Sequence, residues 1–291
     1  MARTVPAGPT GPSDLDVRLD EPRTALVLAL ADDDLVMGHR ALHWTGVAPS
    51  LEEDIAFSGI AQDEINHADV WYQLLAGSPA SPSGPAATRA KVDALGLGRD
   101  HDQYRHAILC EREPHDFAFT LARHWLYDHA DAVRLAALTG SSDPEIAAIA
   151  TRLAHEERYH VQHAEAWFWR LVRAGGEPHR RLQEALRRAF PDALGLFEPT
   201  VGEPAAVDAA ILPMPSSELL VRWLDVVEVM LQQAGCDDVL TPLRGSRGVD
   251  WLVPGHLFAD PGGRRGVHTV EWQQAWAEMT ALYRQHPGAR W

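Results

Sequence analysis

The chain has 291 residues, 46% of them apolar and 23% charged, enough to bury a sizeable core in one large domain or in a domain with an appendage. Its 41 acids against 26 bases, a formal charge of −15, speak against nucleic acid or an anionic membrane as the main partner, since both select basic surfaces. Two cysteines in no paired motif, Cys110 and Cys236, argue against a disulfide scaffold or a thiolate metal site and fit a reducing cytoplasm, and no run approaches the roughly 18 apolar residues of a membrane span.

Residues 1–20 begin Pro/Gly/Thr-rich without an apolar stretch, and a disordered arm is expected there rather than a signal peptide. Pro22 and Gly46 bracket a helix across Thr24–Trp44, whose first half, Ala25–Ala31, is apolar on all sides and therefore buried. Asp32-Asp33-Asp34 lies in its middle. Ser50 with Glu53 reads as a capping box for a second helix that runs to about Ala76 and stops at Gly77. Phe57, Ile60, Glu64, His67, Trp71 and Leu74 share one stripe of it, so Glu64 and His67 occupy core positions and need partners. The low-complexity run Ser78–Thr88 reads as a loop between two halves of a bundle, and a short helix is expected around Asp102–Leu109.

Beyond Pro114 and Asp116 a third helix spans Phe117 to about Leu138, with Leu121, His124, Trp125, Asp128, Ala132 and Leu135 aligned. Ser142, Asp143 and Pro144 start a fourth that reaches about Ala174. Its stripe, Ile146, Ile149, Leu153, Glu157, His160, Ala164, Trp167 and Leu171, is interrupted only by Glu157 and His160. A basic amphipathic helix over Pro178–Phe190, a Pro-bearing loop over Pro191–Pro215, a helix over Ser216–Gln233 capped by Ser216 or Ser217, an irregular segment Gly235–Gly266 and a last helix over His268–Tyr283 complete the chain. No strand pattern appears. The expected division is an all-α four-helix core within residues 21–176 and a helical extension over 177–291.

The chemistry concentrates in Gln62-Asp63-Glu64-Ile65-Asn66-His67, which returns ninety-three residues later as His155-Glu156-Glu157-Arg158-Tyr159-His160. A carboxylate and an imidazole three apart on a helix share one face, so each copy can offer a metal an oxygen and a nitrogen. Two such helices facing inward supply half of a carboxylate-bridged di-iron or di-manganese site in a ferritin-like bundle. The other half should come from acids at similar distances upstream: Asp34 lies 30 residues before Glu64, and Asp128 lies 29 before Glu157. The agreement selects Asp34, although Asp33 fits almost as well, and it prefers Asp128 to Asp131; Asp32 and Asp33 are then expected to be solvated or to support the ligands. Asp34, Glu64, His67, Asp128, Glu157 and His160 give four carboxylates and two imidazoles, a hard set suited to paired iron or manganese rather than structural zinc. Asp63 and Glu156 are each expected to reach the unligated nitrogen of the opposite histidine, Asp63 to His160 and Glu156 to His67, fixing tautomer and ring orientation. The competing reading is a metal-free bundle in which buried carboxylates pair with histidines and arginines. Trp71, Trp125, Trp167 and Trp169 read as core or interface packing, His39, His43, His163 and His179 as ordinary surface or core histidines, and Arg264-Arg265 as an exposed basic turn or a phosphate contact. Gly38, Trp71 and His124 are candidates for the wall of a substrate cavity.

These residues resemble the ferritin-like subunits of the bacterial multicomponent phenylacetyl-CoA epoxidase, which opens aerobic phenylacetate breakdown. Gln62-Asp63-Glu64-x-x-His67, Glu156-Glu157-x-x-His160 and Tyr127-Asp128 are similar to the metal motifs of its catalytic A subunit. Over nearly the full length the chain is more similar to the C subunit, in Gly38-His39-Arg40, Ala48-Pro49-x-Leu51-Glu52, Glu156-x-Arg158-Tyr159-His160 and Gly262-Gly263-Arg264-Arg265-Gly266-Val267-His268-Thr269. The usual C subunit has lost most metal ligands and acts as a structural partner, whereas here Asp34, Glu64, His67 and Glu157 are all metal-competent. The resemblance implies a ferritin-like fold, two iron ions, with manganese as an alternative, and dioxygen activation for monooxygenation of an aromatic acyl-CoA. It further implies a paralogous subunit or a second copy as partner and a separate flavin/iron–sulfur reductase. Its alternatives are a non-catalytic subunit stabilising a catalytic paralogue and a stand-alone di-metal oxidase.

Overall fold

The computed structural model describes residues 21–77, 84–243, 262–286 and 289. Ten α-helices order them: α1 (Pro22–Ala41), α2 (Leu51–Ala76), α3 (Gly84–Asp93), α4 (Ile108–Glu111), α5 (Phe117–Leu138), α6 (Pro144–Ala174), α7 (Gly176–Ala193), α8 (Glu203–Asp208), α9 (Ser216–Ala234) and α10 (Val270–Gln285). No strand occurs among the described residues, and the chain is the all-α, ferritin-like bundle that the periodicity predicts. Two hairpins, α1–α2 and α5–α6, face each other, and α7 and α9 pack on the outer side of α5.

Local chemistry sets the helix ends. Pro22 occupies the first turn of α1, where its missing N–H costs nothing, and Glu21 accepts the Thr24 N–H at 2.9 Å. Asp116 caps α5 by accepting from Phe119, and Asp143 caps α6 by accepting from Glu145 and Ile146. Ser50 caps α2, but the expected capping box is not closed: the Glu53 carboxylate turns inward and meets His163 Nε2 on α6 at 3.0 Å. A tertiary partner there outcompetes the local one.

Several boundaries differ from the sequence reading. The first helix closes at Ala41 and continues as a 3₁₀ turn over Leu42–Trp44. Helix α3 and a π-helical turn over Ala94–Gly98 replace the second half of the expected loop and the stretch after it. The helix expected near Asp102–Leu109 is two separate turns, His101–Gln103 and α4. Helix α7 runs past Pro191, and the supposed loop Pro191–Pro215 contains a 3₁₀ turn (Leu194–Phe197) and α8. Ser216 does not cap α9; its N–H and hydroxyl both go to Glu203. The segment Gly235–Gly266 contains 3₁₀ turns at Asp237–Leu243 and Gly263–Arg265. The arm expected over 1–20, the first half of the Ser/Pro loop and the middle of Gly235–Gly266 lie outside the described residues.

One apolar core joins the bundle to its extension, running from Leu26 and Val27 of α1 through Trp125 of α5 and Leu186 of α7 to Trp223 of α9 and Trp272 of α10. Fully burying such a side chain contributes about 1.5–3 kcal/mol. Gly38 lets α1 and α2 approach closely, since a Cβ there would sit 2.9 Å from Ile65 Cγ1, 3.0 Å from the Ala61 carbonyl and 3.1 Å from Glu64 Cβ. No helix among the described residues is long and apolar enough to cross a membrane.

Candidate metal centre

The triple aspartate fans out, because successive helical residues point about 100° apart. All three are buried, so of the two alternatives for Asp32 and Asp33, solvated or supporting the ligands, the solvated one is excluded. Asp32 is bonded to the Arg99 guanidinium and to Tyr72 Oη at 2.5 Å. Asp33 accepts from Arg134 Nη1 at 2.5 Å, Arg264 Nη1 and Nη2 at 2.9 and 2.8 Å, and the Ala107 N–H at 2.8 Å. Burial works to raise the Asp33 carboxyl, but the two guanidiniums outweigh it and hold it down at about 2. Arg264 is therefore neither an exposed turn residue nor a phosphate contact; only Arg265 is exposed, and it pairs with Glu198 at 2.6 Å. Asp34 alone points into the bundle, where Tyr127 Oη donates to it at 2.7 Å.

Five of the six residues singled out by spacing meet there in two buried triads. Ligand atoms of Asp34, Glu64 and His67 lie within 4.8 Å of one another, as do those of Glu64, Glu157 and His160, so Glu64 belongs to both. His160 Nδ1 sits 3.1 Å from Glu157 Oε2 and 3.3 Å from Glu64 Oε1, and the His67 and His160 rings are 5.9 Å apart. On its other edge His67 Nε2 meets Glu156 Oε2 at 2.9 Å, while Asp63 Oδ2 lies 3.5 Å from His160 Nε2, an ion-pair distance rather than a formed hydrogen bond. These are the two crosswise pairs that the sequence joins. Asp128 stands just outside the triads, buried, with neither oxygen hydrogen-bonded and Oδ1 3.8 Å from His124 Nδ1.

The charges are unbalanced. Burial, then repulsion from Asp131 and Glu64, pushes the Asp34 carboxyl well up. Glu157 is also raised, by burial against the pull of His160 and with repulsion from Asp131 and Asp128, and burial takes Asp128 to about 8. Glu64 is held low because the His160 and His67 rings outweigh its burial. His160 is raised in turn: burial disfavours its charge, but Asp63, Glu157 and Glu64 surround it. Protons are thus held among oxygens that repel one another. Glu64 Oε1, Glu157 Oε1, both Asp128 oxygens and His67 Nδ1 are buried with no hydrogen-bond partner, although most buried polar atoms have one. Inward-facing orphan donors, a shared carboxylate and outer nitrogens held by acids are what a pair of cations would complete.

Asp131, ranked below Asp128 from spacing, is tied to Arg134 Nη2 at 2.9 Å and contributes charge beside Asp34. Tyr127, named in the Tyr127-Asp128 motif, shapes the centre through Asp34, and Arg134 does so without having been singled out; its only sequence signal was an arginine three residues after an acid on a buried helix. The three candidates for a cavity wall are tightly packed instead. Gly38 abuts α2, Trp71 is buried in the core and the His124 ring stacks edge-on against Phe57 at 5.1 Å.

The chain matches the family model described as "Phenylacetic acid catabolic protein" over residues 13–291. It is also 28% identical over 268 residues, 92% of this chain and 98% of the relative, to the C subunit of the 1,2-phenylacetyl-CoA epoxidase of Escherichia coli (strain K12).

Proposed function

This chain belongs to the phenylacetic acid catabolic protein family, and we propose that it serves there as a di-iron oxygenase component acting on an aromatic CoA thioester. The observation that carries the reading is the pair of buried triads sharing Glu64, with donor atoms left unpaired. Asp34 and His67 would hold one ion, Glu157 and His160 the other, Glu64 both, and Asp128 would complete the set after a small side-chain movement; manganese would suit the same donors. Iron, when bound, supplies the electrons that let dioxygen react with an organic substrate. The chain's own part is to hold the donors and to give up the protons that an ion displaces. Glu156 and Asp63 fix the outer nitrogens of His67 and His160, Tyr127 orients Asp34, and the buried surroundings exclude water. The helical core over 21–176 carries the centre, and the extension over 177–291 braces it through Arg264. The name of the relative supports the substrate class, and its being one subunit of an epoxidase supports a partner subunit, which we take to be a ferritin-like paralogue or a second copy, with electrons from a separate flavin/iron–sulfur reductase.

That same relative is a C subunit, which favours a second reading: a non-catalytic subunit that stabilises a catalytic paralogue. Metal content separates the two. Protein from iron-supplied cells should hold about two iron per chain, and Glu64→Ala or Glu157→Ala should abolish both the iron and the activity of the assembled complex. Iron below roughly a tenth of that content in the parent protein, or full activity in both variants, removes the enzyme reading.

A further inference from the structure

We propose that His39, His43 and Glu278 form a second, separate site for one divalent transition-metal ion of the zinc class, which clamps α10 to the end of α1. His39 lies in the last turn of α1 and His43 on the 3₁₀ turn that continues it, so the four-residue spacing stacks the two rings on one face. Their centroids are 5.6 Å apart, nearly perpendicular. One nitrogen of each and a carboxylate oxygen of Glu278, from α10, lie within 4.8 Å of one another.

The Nε2 atoms of both histidines are buried and have no hydrogen-bond partner, so each ring lacks something at that edge. Neighbouring cations do not fill the place: Arg40 turns away and donates to the carbonyls of Glu111 and Glu271. Burial, then the nearby His43 and Arg40, holds His39 down at about 4, so a neutral ring is available without loss of a proton. Glu278 is exposed, so water reaches this edge and can supply a fourth ligand.

Two imidazoles and one carboxylate around an open position suit zinc, cobalt or nickel better than the harder, carboxylate-rich centre of the bundle. The two sites are distinct. His39 follows Asp34 by five residues and therefore points roughly 140° away from it around α1. An ion at His39 would join the helix that carries Asp34 to the C-terminal helix, through residues that take no part in the carboxylate cluster.

The test is a Co(II) titration of the full chain, read by the visible absorption of tetrahedral cobalt, in the parent and in a Glu64→Ala/Glu157→Ala background that removes the shared Glu64 and the Glu157 carboxylate of the bundle centre. About one equivalent should bind in that background, and His39→Ala or His43→Ala should weaken it at least ~10-fold. Glu278 is exposed, so Glu278→Gln should leave the metal-free melting temperature unchanged while reducing the rise in melting temperature that zinc gives the parent. The last comparison needs no alteration of the bundle centre and decides the matter should the background variant not fold. Equal cobalt binding in all three site variants, no binding by the parent up to ~0.1 mM, or an equal zinc-induced rise in Glu278→Gln and parent would overturn the proposal.

Discussion

Asp33 and Asp34 are adjacent, equally buried and chemically identical, yet their replacement should move the stability of the metal-free protein in opposite directions. Asp33 sits between Arg134 and Arg264, which hold its carboxyl near 2 against an ordinary value near 4. A group whose folded value is depressed contributes stability that is present above the ordinary value and is lost as pH falls through the folded one. For Asp33 that contribution is about 2.5 kcal/mol at neutral pH, fading between about pH 4 and pH 2. Asp33→Asn, which keeps an acceptor but drops the charge, should cost about that much, and Asp33→Ala about 3–5 kcal/mol, because it leaves two buried guanidiniums short of a partner. Asp34 has the opposite sign: burial and the Asp131 and Glu64 charges raise its carboxyl, so its ionisation opposes folding at neutral pH. Asp34→Asn keeps an oxygen for the Tyr127 hydroxyl and should raise the unfolding midpoint. Urea unfolding of chelator-treated protein at pH 7, with iron content measured in parallel, reads both effects. Should Asp34→Asn destabilise the metal-free chain as much as Asp33→Asn does, the bundle interior carries no charge imbalance for a cation to relieve.

Three further outcomes follow from the same geometry. Glu156→Gln should lower iron affinity ~10–100-fold with little change in fold, because it weakens the contact that orients His67; unchanged affinity by competition with a chelator would show that the ring needs no such support. Metal loading at pH 7 should release about one to three protons per chain, with affinity rising from about pH 6 to 8, because His160 is held protonated and Asp34, Glu157 and Asp128 are raised. Calorimetry in buffers of different ionisation enthalpy measures the count, and a value of zero contradicts the proton-filled centre. Gly38→Ala should force α1 and α2 apart at Ile65 and Glu64, an overpacking cost of about 1–3 kcal/mol against about 1 kcal/mol gained in helix propensity, and should reduce iron content; a higher melting temperature with full iron would show that the contact can yield.

The hydrophobic period located the long helices, since a stripe broken only by Glu157 and His160 leaves one orientation for α6. It placed Phe117–Leu138 and Pro144–Ala174 with the bounds observed. The duplicated Glu-x-x-His and the near-equal 30- and 29-residue intervals brought out five residues that the fold gathers into two triads. What stayed hidden depends on distant partners. Glu53 leaves its cap for His163, and Arg264 crosses 231 residues to reach Asp33. Such pairings arise from tertiary burial, where an unpartnered charge costs far more than a lost local bond, and no local pattern announces them. Asp128 shows the limit of counting residues: the interval chose it, but helix α5 leaves its oxygens beside His124 instead of among the triads.

The Asp-Asp-Asp run joins the stability of α1 to the metal centre. A centre that gathers three carboxylates with Asp128 beside them resists its own folding until a cation arrives, so the helix that presents Asp34 must be held by something other than Asp34. Asp32 and Asp33, each turned about 100° from the last, provide that hold. Asp32 locks α1 to Arg99 and Tyr72 on one side, and Asp33 locks it to Arg134 and Arg264 on another. The third acid can then be kept in an unfavourable place. If this is the division of labour, the first two aspartates should be needed for folding with or without metal, and the third should matter only to what binds.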